Sequence, residues 1–223
     1  MWPLVSLACI ALFWVAVSLS VYQVRHPLTG REIAGVMSVG GASWLERPGR
    51  QTEENLEGAL DAIGIRQGST VADVGAGTGY ASIRMARRVG PAGKVYANEI
   101  QPEMLARLHR NAAAAGVSNI EPVLGTETDP KLPRAQIDLI MLIDVYHEFS
   151  QPQKMLEGIH RALKPDGRLV LLEYRKEDSS LPIQRKHEMT VQEAKTEVEA
   201  GGFKLSRVLE NLPRQHILIF TMR

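Results

Sequence analysis

A glycine-rich run between a short apolar stretch and a helical pattern is the strongest chemical signal in the sequence. It reads DVGAGTGY over residues 73–80, with Gly75, Gly77 and Gly79 at alternate positions. Glycine lets the backbone turn tightly and approach a ligand closely. A junction between a strand and a helix is also the context that a nucleotide-binding loop requires. The run therefore predicts a loop that binds a nucleotide-like cofactor.

Two carboxylates near this loop indicate what kind of ligand it takes. A dinucleotide fingerprint needs its third glycine one residue later, where Tyr80 stands. Asp73 precedes the first glycine by two residues, and an anion there repels a pyrophosphate but suits a cationic ligand. Glu99 follows the next predicted strand, where a carboxylate can accept both hydroxyls of a ribose. The pattern favours a cationic nucleoside over a nicotinamide dinucleotide.

A second polar group follows the continuous apolar run at 137–143 and includes Asp144, Tyr146, His147 and Glu148. His147 can take a proton near neutral pH. Glu148 can orient the His147 ring or act as the base alone, and Tyr146 can position the acceptor substrate. We therefore predict Tyr146, His147 and Glu148 as catalytic residues. The structural alternative is that Asp144 caps the following segment and that His147 holds loop backbone.

The spacing of histidine and cysteine predicts no metal site. His147-Glu148-Phe149-Ser150-Gln151 misses the zinc motif H-E-x-x-H at its last position. The other five histidines show no ligand spacing, and the single cysteine, Cys9, excludes a cysteine-based zinc site.

From about residue 52, strand and helix patterns alternate five times before two final strands. This alternation predicts the α/β class, with a doubly wound, mostly parallel seven-stranded sheet that has one antiparallel strand. Ligands of such sheets bind beyond the carboxyl ends of the strands. Tyr174 ends the fifth predicted strand and is expected to face an acceptor there. The predicted strands lie at 70–74, 94–98, 119–124, 137–143, 168–174, 203–209 and 217–222, and the helices at 54–63, 80–89, 102–115, 153–163 and 191–200.

Length and charge limit the function classes. The 223 residues suffice for one α/β domain, at 56–223, preceded by a polar, glycine-containing lead-in at 25–55. Lysine and arginine (26) nearly balance aspartate and glutamate (25), which disfavours non-specific binding to nucleic acid. No oligomeric state is predicted.

The first 24 residues carry no charged side chain and predict a transmembrane anchor. Residues 2–22 are almost wholly apolar, which is long enough to cross a bilayer core of about 30 Å. Arg25 and Arg31 follow, and the positive-inside rule then places the remainder in the cytoplasm of a single-pass membrane protein. The alternative is a cleaved signal peptide and an exported protein, but a basic n-region is missing.

Four segments together resemble the class I S-adenosylmethionine-dependent methyltransferases, in the branch that includes quinone and other small-molecule methyltransferases. They are DVGAGTGY at 73–80, YANEIQPEML at 96–105, DLIMLIDVYHEF at 138–149 and LKPDGRLVLLE at 163–173. The resemblance implies a Rossmann-like fold with S-adenosylmethionine as cofactor. The family often has aspartate where Glu99 stands.

The resemblance also implies roles for individual residues. Asp73 and the three glycines would contact the methionine part, Glu99 the ribose, Ile100 the adenine ring, and Glu127 the adenine amine, with Asp144 at the same cofactor cleft. In related enzymes the segment before the first strand covers the acceptor, so Trp44 and Arg47 are candidate substrate residues. A surface segment packed on the sheet edge is the alternative for these two.

The expected activity is methyl transfer to a small, possibly lipophilic acceptor. A cytosine C5 methyltransferase needs a thiolate, and Cys9 lies in the apolar segment. Methyltransferases that act on DNA amines typically carry a proline-rich loop where residues 144–147 read DVYH, so nucleic acid is disfavoured. The alternative function is a non-catalytic S-adenosylmethionine-binding module with a regulatory or assembly role.

Overall fold

The computed structural model describes residues 24–223. Its strands are β1 (Thr70–Val74), β2 (Lys94–Glu99), β3 (Ile120–Leu124), β4 (Ile137–Ile143), β5 (Leu163–Arg175), β6 (Glu188–Met189), β7 (Phe203–Leu209) and β8 (Gln215–Met222). Its α-helices are α1 (Ala42–Leu45), α2 (Arg50–Glu54), α3 (Leu56–Ile63), α4 (Tyr80–Val89), α5 (Pro102–Ala114), α6 (Pro152–Ala162) and α7 (Val191–Ala200).

Seven strands form one sheet in the order β3-β2-β1-β4-β5-β8-β7. All are parallel except β8, which runs antiparallel to both of its neighbours. The direction in which the chain adds strands reverses between β1 and β4, which creates the switch point where ligands bind. The predicted doubly wound, mostly parallel sheet with one antiparallel strand is confirmed.

An eighth, two-residue strand was not predicted. Strand β4 stops pairing with β5 at Leu172, whereas β6 pairs with β5 at Tyr174 and Arg175. Because β8 already occupies the other edge of β5 at Tyr174, β6 takes the position beside β5 that β4 has vacated. This pairing brings the residues just before β6 next to the loop that follows β4.

Alternate residues of the central strands pack on opposite faces of the sheet. Along β4, Leu139 and Met141 join the core cluster that contains α3 and α4, whereas Ile140 and Leu142 join the cluster that contains α6 and α7. All four side chains are at most 2% exposed. A strand covered on both faces needs a continuous apolar sequence, which explains the unbroken apolar run at 139–143 in β4.

Residues 164–167, which precede the strand predicted at 168–174 and have the composition of a turn, lie inside β5. Ile137 pairs with Leu163 and Leu139 pairs with Arg168, so the two strands advance by different numbers of residues between these pairs. The extra residues, which include Pro165 and Gly167, form an irregularity in the ladder. Turn-forming residues therefore produce a bulge here, and β5 starts five residues earlier than predicted.

The lead-in is attached to the domain by buried charge. Arg31 donates to both carboxylate oxygens of Glu197 on α7, through Nε at 3.1 Å and Nη2 at 2.9 Å. Its Nη1 also donates to the backbone oxygen of His147 at 3.1 Å, and Ala34 donates to that same oxygen. The lead-in thus holds α7 and the loop after β4 together.

No helix among residues 24–223 is long and apolar enough to cross a membrane. The predicted anchor falls almost wholly on residues 1–23, which lie outside the described residues.

Replacing Arg31 by methionine is expected to destabilise the domain by about 3–5 kcal/mol, because it leaves the fully buried Glu197 carboxylate without its main partner. The free energy of unfolding of the full-length chain in non-ionic detergent, measured in urea, checks this.

The matched control is Arg223→Met, which removes an exposed pair with Glu199 and should cost less than about 1 kcal/mol. Equal losses for the two variants would contradict the assigned role of Arg31.

Candidate active site

The carboxyl ends of β1, β2, β4 and β5 open into one cleft of about 440 Å³, a size that suits a small-molecule site. Asp73 and Glu99 line one end of this cleft, beside the glycine loop. His147, Glu148 and His187 line the other end, beside the loop after β4, and residues of the lead-in also line the cleft. The strands thus place the two polar groups found in the sequence in a single cavity.

The glycine loop has the backbone that its composition predicts. Gly75, Gly77 and Gly79 all have positive φ, at 77°, 53° and 89°. A Cβ atom at Gly75 would collide with the side chain of Val145, and one at Gly79 would lie 2.8 Å from Leu108 Cγ. The loop therefore needs glycine both for its conformation and for the close approach of its neighbours.

Asp73 lies near the end of β1 and is only 2% exposed. Ser82 donates a hydrogen bond to it at 2.5 Å. Burial raises the pKa of Asp73 to about 6; the Ser82 hydrogen bond and the positive charge of Arg50 oppose this rise, and the negative charge of Glu99 adds to it. A carboxylate that is costly to keep charged gains from a cationic ligand in the cleft.

Glu99 connects the end of β2 to the glycine loop. Its Oε2 accepts from the backbone N–H of Gly77 at 3.0 Å, and its Oε1 accepts from Ile100 and Gln101 at 2.7 and 3.0 Å. A carboxylate has about four acceptor positions, so one remains for a ligand hydroxyl. The same side chain thus fixes the loop and can still accept a hydrogen bond inside the cleft.

The two predicted adenine contacts differ in position. Ile100 is half-buried and lines the cleft. Glu127 is exposed at its rim, where it accepts a hydrogen bond from Ser150 at 2.8 Å. A contact between Glu127 and an adenine amine remains a prediction.

Asp144 follows β4 in a left-handed conformation with φ of 54°, which is uncommon for a residue other than glycine. Its Oδ2 accepts from Gln215 at 2.8 Å, whereas its enclosed Oδ1 has no hydrogen-bond partner among the described residues. Burial, and then the negative charges of Glu54 and Glu173, raise the pKa of Asp144 well above its usual range. Asp144 is also among the residues that line the cleft.

The 3-10 turn at Tyr146–Glu148 presents His147 to the cleft. His147 Nδ1 lies 2.6 Å from Glu173 Oε2, and the other Glu173 oxygen accepts from the backbone N–H of Tyr146 at 2.8 Å. Burial disfavours the protonated imidazole, but the adjacent Glu173 carboxylate outweighs it and the pKa of His147 is raised. A buried carboxylate thus orients the histidine.

His187 belongs to this polar group, although its position in the sequence indicated no role. Its Nδ1 lies 3.1 Å from His147 Nε2. Burial, together with the charge of His147, lowers the pKa of His187 to about 4, while burial raises the pKa of Glu148 to about 7. Nothing in the sequence indicates this contact, because His187 precedes the two-residue strand β6 and only the pairing of β6 with β5 brings it next to His147.

Tyr146 does not reach the cleft. Its ring is fully buried in the core, edge-to-face with Phe149 at 5.5 Å between centroids. Among the three predicted catalytic residues, the structure brings His147 and Glu148 to the cavity and places Tyr146 on the opposite side of the turn.

The three predicted substrate residues all line the cleft, and two of them share one carboxylate. Arg47 donates to Glu54 Oε1 at 2.6 Å, and the hydroxyl of Tyr174 donates to the same oxygen at 3.0 Å. Trp44 is 46% exposed, with the Arg47 guanidinium 3.9 Å from its ring centroid. Glu54 thereby attaches the lead-in to the end of β5.

Comparison with known proteins gives a family match. Residues 65–212 match a family described as a methyltransferase domain. The chain is 33% identical over 118 residues to the ubiquinone/menaquinone biosynthesis C-methyltransferase UbiE of Escherichia fergusonii, and equally to that of Salmonella arizonae. These alignments cover 52% of this chain and 47% of each relative, so the chain spans about half the length of the curated relatives it matches.

Solved structures agree with this match. An S-adenosylmethionine-dependent methyltransferase from Aquifex aeolicus superposes with a TM-score of 0.80 and 27% identity, over 84% of this chain and 100% of that one. A putative O-methyltransferase from Nostoc punctiforme superposes with a TM-score of 0.67 and 18% identity, over 82% and 60% of the two chains, which shows a likeness of fold.

The cleft, the glycine loop and the family match lead to one assignment. The resemblance predicted from the sequence is confirmed, and with it a domain of the S-adenosylmethionine-dependent methyltransferase type whose cofactor is S-adenosylmethionine. The chain belongs to the methyltransferase-domain family.

Proposed function

We propose that this chain transfers the methyl group of S-adenosylmethionine to a small, lipophilic acceptor of the quinol type by in-line displacement. The observation that carries the proposal is that one cleft joins the cofactor end, with Asp73 and Glu99, to a second polar end with His147, Glu148 and His187. Holding two reactants in line and away from water supplies much of the rate enhancement of such a displacement.

The cofactor end fits a cationic nucleoside. S-adenosylmethionine supplies a methyl carbon made electrophilic by a sulfonium sulfur. In this proposal the buried Asp73 carboxylate faces the cationic part of the ligand. Glu99 accepts from the ribose through its remaining acceptor position, and Ile100 packs on the adenine. The positive-φ glycines leave the backbone open to close contact.

The acceptor end suits a ring with oxygen substituents. Apolar side chains that include Met37, Phe149 and Ile183 line it next to the three polar groups. A mixed lining of this kind binds an apolar ring and orients its oxygens. The named relatives act in ubiquinone and menaquinone biosynthesis as C-methyltransferases, which supports a quinol ring and methyl transfer to carbon.

Residues 1–24 form a membrane anchor in this proposal, with the domain in the cytoplasm. Support comes from the uncharged, apolar sequence before Arg25 and from the cations that follow it. A tether at a membrane would keep the domain close to a lipophilic acceptor.

Substituting either cofactor-end carboxylate should weaken binding of S-adenosylmethionine at least tenfold, because a hydrogen bond to a charged group is worth about 1.5–3 kcal/mol. Calorimetric titration of the full-length chain in detergent, with Asp73→Asn and Glu99→Gln, measures this. Glu103→Gln, on the exposed surface of α5, is the control and should leave binding unchanged. Wild-type affinity in both site variants would sink the assignment of this end of the cleft.

Binding of S-adenosylmethionine should also depend on pH through Asp73. Because its pKa in the free protein is about 6, the carboxyl is protonated at lower pH and must lose that proton to pair with a cation. The affinity should therefore fall as pH drops below 6, by up to about tenfold per pH unit. Calorimetry between about pH 7 and pH 5 tests this. The weaker binding of Asp73→Asn should be flat over this range, and a flat wild-type curve would exclude the role of Asp73.

Turnover distinguishes an enzyme from the less favoured alternative of a non-catalytic module. The full-length chain in bilayers should methylate quinols with a prenyl tail, seen as a net mass gain of one CH2 unit (a methyl group gained and a proton lost) and an equal yield of S-adenosylhomocysteine. Asp73→Asn should lower the rate at least tenfold through loss of cofactor binding. Tight cofactor binding with no transfer to any quinol would favour the non-catalytic module.

A further inference from the structure

Three potential metal-ligating side chains meet at the acceptor end of the cleft. Each of the three offers one donor atom, and these atoms lie within 4.8 Å of one another; the residues are His147, Glu148 and His187. We propose that these three residues form a binding site for one divalent transition-metal ion.

The surroundings of His147 are those of a metal ligand. Its Nδ1 lies 2.6 Å from the fully buried Glu173 carboxylate, and its Nε2 faces His187. In the neutral ring that donates Nδ1–H to Glu173, the lone pair is on Nε2, where a metal ion would bind in place of a proton. Histidines that bind metals almost always donate their other ring N–H to a carboxylate, a carbonyl or water, which fixes the tautomer and the ring orientation. Glu173 is fixed in turn by the backbone N–H of Tyr146.

The donor separations are close to those around a tetrahedral ion. With metal–ligand bonds near 2.0–2.1 Å, neighbouring donors lie about 3.3 Å apart. His147 Nε2 is 3.1 Å from His187 Nδ1 and 4.0 Å from Glu148 Oε1. To complete the set, the Glu148 carboxylate, which lies at the cleft wall, has to move closer to the two histidines.

The donor set selects the class of ion. Mg²⁺ and Ca²⁺ prefer oxygen ligands, whereas imidazole nitrogen suits Zn²⁺, Fe²⁺ and Co²⁺. Two histidines and one glutamate supply three protein ligands, which leaves at least one coordination position directed into the cleft. Catalytic zinc sites have this arrangement, since the open position takes water or substrate.

In the role we infer, the ion binds an oxygen of the acceptor and orients its ring. This role rests on the proposed function, whereas metal binding itself does not. It also replaces the predicted base role of His147 and Glu148, because a donor atom bound to a metal does not accept a proton. The proton that the methylated ring carbon loses then passes to solvent water. A simple N–H···N hydrogen bond between the two histidines is the competing arrangement, and it requires no ion.

Titration with Co²⁺ tests the site without using activity. The protein is the untagged full-length chain in detergent, stripped of metal, in a Cys9→Ser background that removes the single thiol. We expect one equivalent of Co²⁺ to bind with the visible absorption of a tetrahedral site, and Zn²⁺ to displace it. His187→Ala and Glu148→Gln should each weaken binding at least tenfold, and Glu173→Gln about 10–100-fold through His147.

The control is His109→Ala, an exposed histidine on α5, which should bind Co²⁺ like the wild type. Far-UV circular dichroism shows whether each variant is folded, and His187→Asn replaces His187→Ala if that variant is not. Wild-type Co²⁺ affinity in the folded His187 variant, or no stoichiometric Co²⁺ binding by the folded wild type, overturns the metal site and leaves the proposed function intact. A folded wild type that binds Co²⁺ but not S-adenosylmethionine would overturn only the proposed function.

Discussion

Four carboxylates at the ends of adjacent parallel strands impose the main constraint on this structure. Asp73, Glu99, Asp144 and Glu173 stand at the carboxyl ends of β1, β2, β4 and β5, buried or half-buried along one edge of the sheet. A buried carboxylate is costly unless hydrogen bonds or opposite charges compensate it. Each of the four must therefore find donors, and the loops at this edge take the conformations that supply them.

The groups that compensate the buried carboxylates differ from strand to strand, and the four carboxylates therefore have different roles in the cleft. Glu99 takes backbone N–H groups and so shapes the glycine loop, while Glu173 takes Tyr146 and His147 and so shapes the loop after β4. Asp73 and Asp144 are less fully satisfied, and burial raises the pKa of both. Glu99 and Glu173 thus fix the loops that line the cleft. Asp73 and Asp144 would be stabilised electrostatically by a bound cation or hydrogen-bond donor.

The lead-in closes the same edge from outside. Glu54 accepts from Arg47, Arg50 and Tyr174, which joins α2 to the end of β5. At the other end, Arg31 joins Glu197 to the backbone of His147. Residues of this segment, among them Trp44 and Arg47, line the cavity, so buried ion pairs hold part of the cleft wall in place.

Local sequence patterns were enough to predict most strands and helices of the domain and the cofactor end of the cleft. Periodicity placed β1, β4, α4, α7 and β7 at their observed residues, because each is bounded by glycine, proline or a polar cap and its pattern depends only on near neighbours. The glycine loop and Glu99 could be predicted for the same reason, since a fixed spacing across one strand-loop-helix unit places them together.

The acceptor end of the cleft, in contrast, depends on the tertiary structure. That structure turned the residues at 164–167 into a bulge, directed Tyr146 into the core, and brought His187 to His147 across forty residues through the pairing of β6 with β5. Such contacts depend on which strand edges remain free after the sheet has formed, and no local pattern in the chain encodes that.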